Sequence, residues 1–438
     1  MDILSAIIGF LAAFAFCYPL LMAYVLMEGA IFYYYRYEHK KPRFFDLPQL
    51  REYPLVSLMV PCYNEGYNIM ETIEALSQTK YPNYEIIAVN DGSKDNTLEI
   101  LMDLRKTYPR LRVINLATNQ GKAVGLKTAV VAAKGEFVVC VDGDSFLDPH
   151  ALHWFMSHFL SSPRVGAVTG NPRVRTRSTL IGQIQVGEFS AIIGLMKRAQ
   201  RIFGRVFTIS GVAAAYRKAA LSDVGYWNDS VQTEDIEISW NLQLTYWDVR
   251  FEPRSICWVL MPETLKGLVR QRYRWAMGGA QTFKRYTKRI LQWKSRRFWT
   301  VYVEYFISVA WAYTILVVTV LWGIRFAASG WDPNYIGTFY QGPAIILGAT
   351  CLLQFFVSMK IDTLYDYKLM RNYLAIIWYP IVYWIMNCIL PIVIFPQVMF
   401  VRAKTQKKRG TWISPDRGVH QMTAAPAVTA ASNSGTST

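Results

Sequence analysis

The sequence predicts an α/β domain, a parallel sheet with helices on both faces, inserted between transmembrane helices. Three observations predict it. Short apolar runs alternate with helical patterns, those runs end in Asp, Asn or Glu, and both ends of the 438-residue chain contain long stretches almost free of charge. Hydrophobic residues make up 52% of the chain and aromatics 15%, more than a soluble protein of this size carries.

Residues Ile3 to Tyr35 hold a single charge, Glu28. As a helix they would be roughly 50 Å long, enough for one tilted span and too little for two with a turn. No basic stretch precedes them and the run is too long for a leader, so residues 1–36 are read as a retained span. "RYEHKKPR", Arg36 to Arg43, puts the end of that span and the domain after it in the cytoplasm by the positive-inside rule.

Residues 37–262 form the soluble domain. "LVSLMV" (Leu55 to Val60), "YEIIAVND" (Tyr84 to Asp91), "RVINLA" (Arg112 to Ala117) and "GEFVVCVD" (Gly135 to Asp142) read as strands, with "NIMETIEALSQT" and "NTLEILMDLRKTY" as helices between them. Ligands of such sheets bind beyond the C-terminal strand ends. There the chain places "PCYNE", "NDGSKDNT" and "DGD". Neither GxGxxG nor a Walker sequence is present, which excludes the dinucleotide and P-loop classes on their own motifs. An acidic mouth accepts hydrogen bonds from hydroxyls and amides, and takes phosphates only through a divalent cation; a nucleoside diphosphate with a metal meets both demands. Asp142 and Asp144 sharpen the point, because acids one residue apart resist joint ionisation unless a cation or donors share the site. The "HALH" pair, His150 and His153, has no further ligands near it in sequence and is read as structural.

Residues 263–300 are basic and amphipathic: from Lys266 to Arg297 there is no acid, and much of the net charge of +16 is concentrated there. Such a segment before a span lies on an anionic lipid leaflet. With no recognition module in the chain, nucleic acid is excluded as a partner. Residues 301–401 return to apolar composition in three blocks, Tyr302 to Ala327, Pro343 to Met359 and Tyr373 to Val401, the last broken by Pro380, Pro391 and Pro396. Span parity puts the C-terminus outside, whereas the basic "RAKTQKKRG", Arg402 to Gly410, argues for inside; a re-entrant last block is the alternative. Residues 402–438 are basic and then rich in Ala, Ser and Thr, a composition expected to be disordered. Six cysteines without a CxxC spacing indicate neither a zinc site nor a disulfide framework.

"VPCYNE", "VNDGSKDNT", "VDGDS", "TED" (Thr233 to Asp235) and "QRYRW" (Gln271 to Trp275) occur in the order and spacing of processive family 2 glycosyltransferases, the group that includes cellulose, chitin and hyaluronan synthases. "GNPRVRTRSTLIGQIQVGEFSAIIGLMKRAQRIFG", "MPETLKGLVRQRYRWAMGGA" and "WISPDRG" resemble the branch formed by bacterial poly-β-1,6-N-acetylglucosamine synthases. The resemblance runs from residue 50 to residue 418, with one departure: those enzymes often carry two spans before the catalytic domain.

The resemblance implies a nucleotide-diphospho-sugar transferase domain of GT-A type. It also implies UDP-GlcNAc as donor, a growing polysaccharide as acceptor and a biofilm exopolysaccharide as product, with Mg²⁺ or Mn²⁺ as cofactor. The setting it implies is the bacterial inner (cytoplasmic) membrane, beside a small two-span membrane subunit whose contact responds to cyclic di-GMP. By motif, Asp91 would accept from uracil or ribose, Lys122 would help hold the nucleotide, Asp142 would face the nucleoside, and Asp144 would bind the metal. Asp235 would be the general base and Glu234 would position the site. From "QRYRW", Gln271 and Trp275 would meet the acceptor sugar, while Arg272 and Arg274 neutralise the leaving diphosphate. Tyr302, Tyr305, Trp311, Trp378, Tyr379 and Trp384 are available to line a path for the polymer. Chitin-oligosaccharide, hyaluronan and cellulose synthases share these motifs, so the residues do not distinguish N-acetylglucosamine from glucose or glucuronic acid. A single-step lipid-phosphate glycosyltransferase would lack "QRYRW", and a transporter would place ionisable groups inside its spans.

Overall fold

The computed structural model describes residues 3–39, 46–329 and 342–400. Helix α1 (Ile3–Tyr33) is a single apolar helix that passes through Pro19 and ends in a wider π-helical turn, Tyr34–Glu38. The α/β domain then runs β1 (Val56–Cys62), α2 (Ile69–Ser77), β2 (Tyr84–Asp91), α3 (Thr97–Thr107), β3 (Leu111–Leu116), α4 (Lys122–Ala132) and β4 (Phe137–Cys140). These are the strands expected from the apolar runs, and β2 has the expected bounds. Alternate side chains feed two cores: Leu58 and Val60 face α2, α3 and a later helix, while Met59, Ile87 and Val89 face α4 on the other side.

Past β4 the chain continues as β5 (Phe146–Leu147), α5 (Ala151–Ser161), β6 (Val165–Val174), α6 (Leu180–Glu188), α7 (Met196–Phe203), β7 (Ala214–Arg217), α8 (Lys218–Asp223), α9 (Glu234–Leu244) and β8 (Asp248–Val259). The sheet order is β3-β2-β1-β4-β7-β6-β8-β5. Strands β1 to β4 are mutually parallel as expected, but β7 is antiparallel to both β4 and β6, and β5 is antiparallel to β8. The all-parallel sheet is therefore corrected to a mixed one. The cause is the route between β6 and β7: α6, a π-helical stretch Phe189–Leu195 and α7 leave the sheet to pack against the apolar helices and then return, so no crossover forces a parallel return. Strand β6 escaped the sequence reading because it contains Gly166, Gly170 and Pro172; register irregularities around Thr169 and Asn171 accommodate them against β8.

Helix α10 (Leu265–Ile290) and a short 3₁₀ turn, Trp293–Phe298, lead into α11 (Trp299–Ser329), α12 (Gly342–Asp362), a 3₁₀ helix Leu369–Trp378, a π-helical turn Pro380–Trp384 and α13 (Ile385–Phe400). Among the described residues four stretches are long and apolar enough to cross a membrane: Ala6–Glu38, Trp293–Ala328, Gly342–Asp362 and Val382–Phe400. The block expected to begin a span at Tyr373 instead opens with the 3₁₀ helix, whose Leu369 and Ile376 are buried while Leu374 and Trp378 stay exposed. Helix α13 packs along α10, where Lys284 Nζ donates to the Val398 and Met399 carbonyls at 2.5 and 3.0 Å. The apolar bundle is tied to the domain by buried charge. Arg198 of α7 meets Glu38 at 2.6 Å and Asp362 at 2.9 Å, and Arg173 of β6 meets Asp362 at 2.7 Å. Residues 40–43 of the "RYEHKKPR" run, the basic run 402–410, "WISPDRG" and the Ala/Ser/Thr tail lie outside the described residues.

Candidate active site

Strand β4 stops at Cys140, and the chain turns through Asp142, Gly143 and Asp144 at the C-terminal edge of the sheet. Asp144 is buried and accepts from Ser145 Oγ at 3.0 Å. Asp142 accepts from Lys122 Nζ at 2.5 Å, and the same ammonium lies 3.6 Å from Glu234. Burial works against the charge of Lys122, but Asp142 and Glu234 outweigh it and hold the amine protonated well above its usual range. The cation beside Asp142 in this structure belongs to the chain itself. Lys122 and Asp142, expected to meet the nucleotide and the nucleoside, stand next to each other in the mouth.

Asp91 stands at the end of β2. It has no exposed surface, and its two oxygens accept from the Gln120 and Gly121 backbone N–H groups at 2.8 Å each. Its carboxylate shapes the turn that starts α4. Burial pushes its pKa up, and the two backbone donors pull it back.

Glu234 and Asp235 open α9. Asp235 lies against Gly211, where an added Cβ would meet its Cβ at 3.3 Å. Burial and the neighbouring Glu234 push the Asp235 carboxyl up to about 6, while Lys122, the Ile236 N–H and Arg274 pull it down. Behind it, Lys197 of α7 donates to Thr169 Oγ1 at 3.0 Å and to Ser210 Oγ at 2.5 Å, bracing the turn that carries Gly211. Burial lowers the Lys197 amine to about 7, with Asp235 acting in the other direction. Thr233, one residue before α9, packs on α10 at Gly278: a Cβ there would fall 1.8 Å from the Thr233 hydroxyl. No side chain larger than hydrogen fits at that crossing.

Helix α10 carries "QRYRW". Trp275 is half-buried against the main core, and Arg274 is exposed. Arg272 is buried and donates to Glu188 Oε2 of α6 at 2.6 Å. Of the two arginines expected to meet a diphosphate, Arg272 is paired with Glu188 and Arg274 lies near enough to Asp235 to act on its carboxyl. Gln271 points to Met261, with its amide nitrogen 3.9 Å from the sulfur. The aromatics expected to line a path are dispersed. Tyr302 stacks on Phe283, Tyr305 on Phe207 and Tyr379 on Tyr383, while Trp311 donates to the Ala15 carbonyl. His153 packs edge-on against Tyr53 and Tyr81.

Among the described residues no group of three or more His, Cys, Asp or Glu side chains is arranged to hold a metal. A site built around one carboxylate, Asp144, suits a hard divalent ion that takes its remaining ligands from phosphates and water, so the donor set fits Mg²⁺ or Mn²⁺ arriving with a diphosphate. The sequence reading missed Glu188, Lys197, Gly211 and Gly278. Two carried a signal: Glu188 is the one charge between Leu180 and Met196, and Gly278 stands in a Gly-Gly pair inside a helix, where each glycine costs about 1 kcal/mol relative to alanine.

The family described as "Glycosyltransferase like family 2" matches residues 54–278. A poly-beta-1,6-N-acetyl-D-glucosamine synthase of Staphylococcus epidermidis is 36% identical over 413 residues, covering 92% of this chain and 98% of the relative. A protein of the same name from Staphylococcus aureus is 36% identical over 416 residues, with the same coverage. A mannosyltransferase from Pyrobaculum calidifontis, solved in complex with GDP-Man and Mn²⁺, matches with a TM-score of 0.56 at 22% identity, over 81% of this chain and 99% of its own; that likeness speaks for the fold alone.

Proposed function

The chain belongs to glycosyltransferase-like family 2, and on that premise we propose that it polymerises N-acetylglucosamine from UDP-GlcNAc into β-1,6-linked poly-N-acetylglucosamine, processively and with inversion, passing the product across the membrane. The names of its relatives support the sugar and the linkage. The observation that carries the mechanism is the seating of Thr233 on Gly278, which sets the start of α9, with Asp235, against α10, with Trp275.

In this reading Trp275 stacks against the C–H face of the terminal acceptor sugar. Asp235 accepts the proton of its hydroxyl, which attacks the anomeric carbon from the face opposite the departing UDP, turning an α-linked donor into a β-linked unit. A carboxyl with a pKa near 6 is deprotonated at neutral pH yet basic enough for that transfer. Arg274 faces the departing diphosphate, and Lys122 keeps Asp142 and Glu234 from repelling each other beneath it. Mg²⁺ or Mn²⁺, held by Asp144 together with the phosphates, supplies charge neutralisation to the leaving group.

The proposed organisation is a span at 1–36, a cytoplasmic catalytic domain at 37–262, an interfacial segment at 263–300, a membrane region at 301–401 and a tail at 402–438, in the bacterial inner membrane. The four apolar stretches among the described residues leave little protein to enclose a polar chain, which supports a requirement for a small two-span partner subunit, with cyclic di-GMP acting at that contact. The test is the protein together with that subunit and cyclic di-GMP in sealed lipid vesicles, with UDP-GlcNAc and Mg²⁺ outside. The expected result is a polymer cut by a β-1,6-specific glucosaminidase only after the vesicles are opened. UDP release without polymer, or a product of another sugar or linkage, overturns the assignment; polymer accessible in intact vesicles overturns the export.

A further inference from the structure

Glu188 ends α6 where that helix meets α10, and it is 2% exposed. Its carboxylate receives Arg272 at 2.6 Å, yet burial still pushes its pKa up to about 7 against the pull of that arginine. As a stabilising contact the pair is poor. Arg272 Nε is buried without an acceptor, and the surroundings are apolar and aromatic, with Phe355, Tyr379 and Tyr383 in the same core. Buried ion pairs that are incompletely bonded cost about as much in desolvation as their attraction returns, and apolar side chains of similar volume hold helices together at least as well.

What the pair does achieve is geometric. Residues 272 and 275 lie one turn apart on the same face of α10. With its far end tied to Glu188, the Arg272 guanidinium stands over the Trp275 ring, its carbon 4.2 Å from the centroid. Tyr383 closes in from the last apolar segment, its ring centre 5.9 Å from the same guanidinium. One face of the indole is therefore covered, and a sugar stacking on the ring would have to use the other.

We infer that Glu188 is the positioning residue of the acceptor platform: by anchoring Arg272 against Trp275 it fixes the plane of the indole and leaves a single face for the chain end. This rests on the reading of Trp275 as the acceptor surface. The donor side does not depend on it, since Lys122, Asp142 and Asp144 belong to α4 and the turn after β4.

The test uses the full chain with its partner subunit and cyclic di-GMP in lipid vesicles, with UDP-GlcNAc as donor and β-1,6-linked N-acetylglucosamine oligomers as added acceptor. Glu188→Gln keeps the size of the side chain and removes its charge. The expected result is an oligomer KM raised about fivefold or more and shorter products, with the UDP-GlcNAc KM within about twofold of the parent. Because Glu188 acts through Arg272, Glu188→Gln combined with Arg272→Met should lose no more than Arg272→Met alone. An unchanged oligomer KM, an equal rise in both KM values, or losses that multiply in the double variant overturn the inference. If Glu188→Gln does not accumulate, Glu188→Leu with Arg272→Met removes both charges without stranding either, and a folded protein with a normal oligomer KM again overturns it. Trp275→Ala separates the two levels. If it leaves the oligomer KM unchanged, the platform reading fails and the inference with it; if it raises that KM while Glu188→Gln does not, the inference alone fails.

Discussion

The two sides of the mouth are built by different means. On the donor side, Asp91, Asp142 and Asp144 stand at or just past the ends of parallel strands, and Lys122 reaches Asp142 across 20 residues of a single strand–helix unit. On the acceptor side, Glu188 meets Arg272 across 84 residues, and Asp235 is placed by Gly211 before it and Gly278 after it. The donor side uses what any parallel sheet provides at its carboxyl edge. The acceptor side depends on helices approaching so closely that a methyl group would not fit, and on a buried charge that contributes little to stability. Changes on the donor side should therefore remove the reaction altogether, whereas changes on the acceptor side should spare donor binding.

The strongest attempt to break that contrast is Asp144→Ala. It should abolish UDP release, including slow hydrolysis by water, even with excess Mg²⁺, and a chelator should do the same to the parent. Release that persists in either case places the metal elsewhere. Asp235→Asn comes next, with turnover lower by roughly 10² to 10⁴ and donor affinity within a few fold, read from single-turnover kinetics and a UDP-GlcNAc titration. Equal loss of both would make the residue structural.

Gly278→Ala tests the docking itself. A Cβ 1.8 Å from the Thr233 hydroxyl must push α9 outward. A displacement of that order should lower kcat by about 10²-fold while the donor KM stays near that of the parent. An unchanged kcat would mean that α9 and α10 slide past each other freely. The smallest effect is on pH. Asp235 works deprotonated and is held near 6, so kcat/KM should rise with pH through that value and at pH 5 fall to about a tenth of its plateau. An acidic limb centred near 4 would show that Glu234 and burial do not act on it as described.

Much of the donor side was legible before any coordinates. "YEIIAVND" became β2 with its bounds intact, and the acids at its end and after β4 sit on the expected edge, because alternating burial and strand-end polarity are written into a few consecutive residues. The first apolar helix was legible for the same reason, as one uninterrupted run. Strand β6 was not, because its Gly and Pro fit only a partner strand with irregular register, and the segment after Asp362 was not, because the apolar end of the 3₁₀ helix, Tyr373 to Trp378, runs directly into the next apolar block.

The sequence by itself determined the α/β class, the parallel half of the sheet, the flanking apolar helices and which residue types gather at the mouth. Only the tertiary structure decided that Lys122 answers Asp142, that the Gln120–Gly121 turn closes on the Asp91 carboxylate, and that Arg272 meets Glu188. The physical reason is range. Burial patterns repeat every two or four residues and can be read along the chain, but the partner of a charge is set by separations of a few ångströms between elements far apart in sequence, and those exist only once the helices have packed.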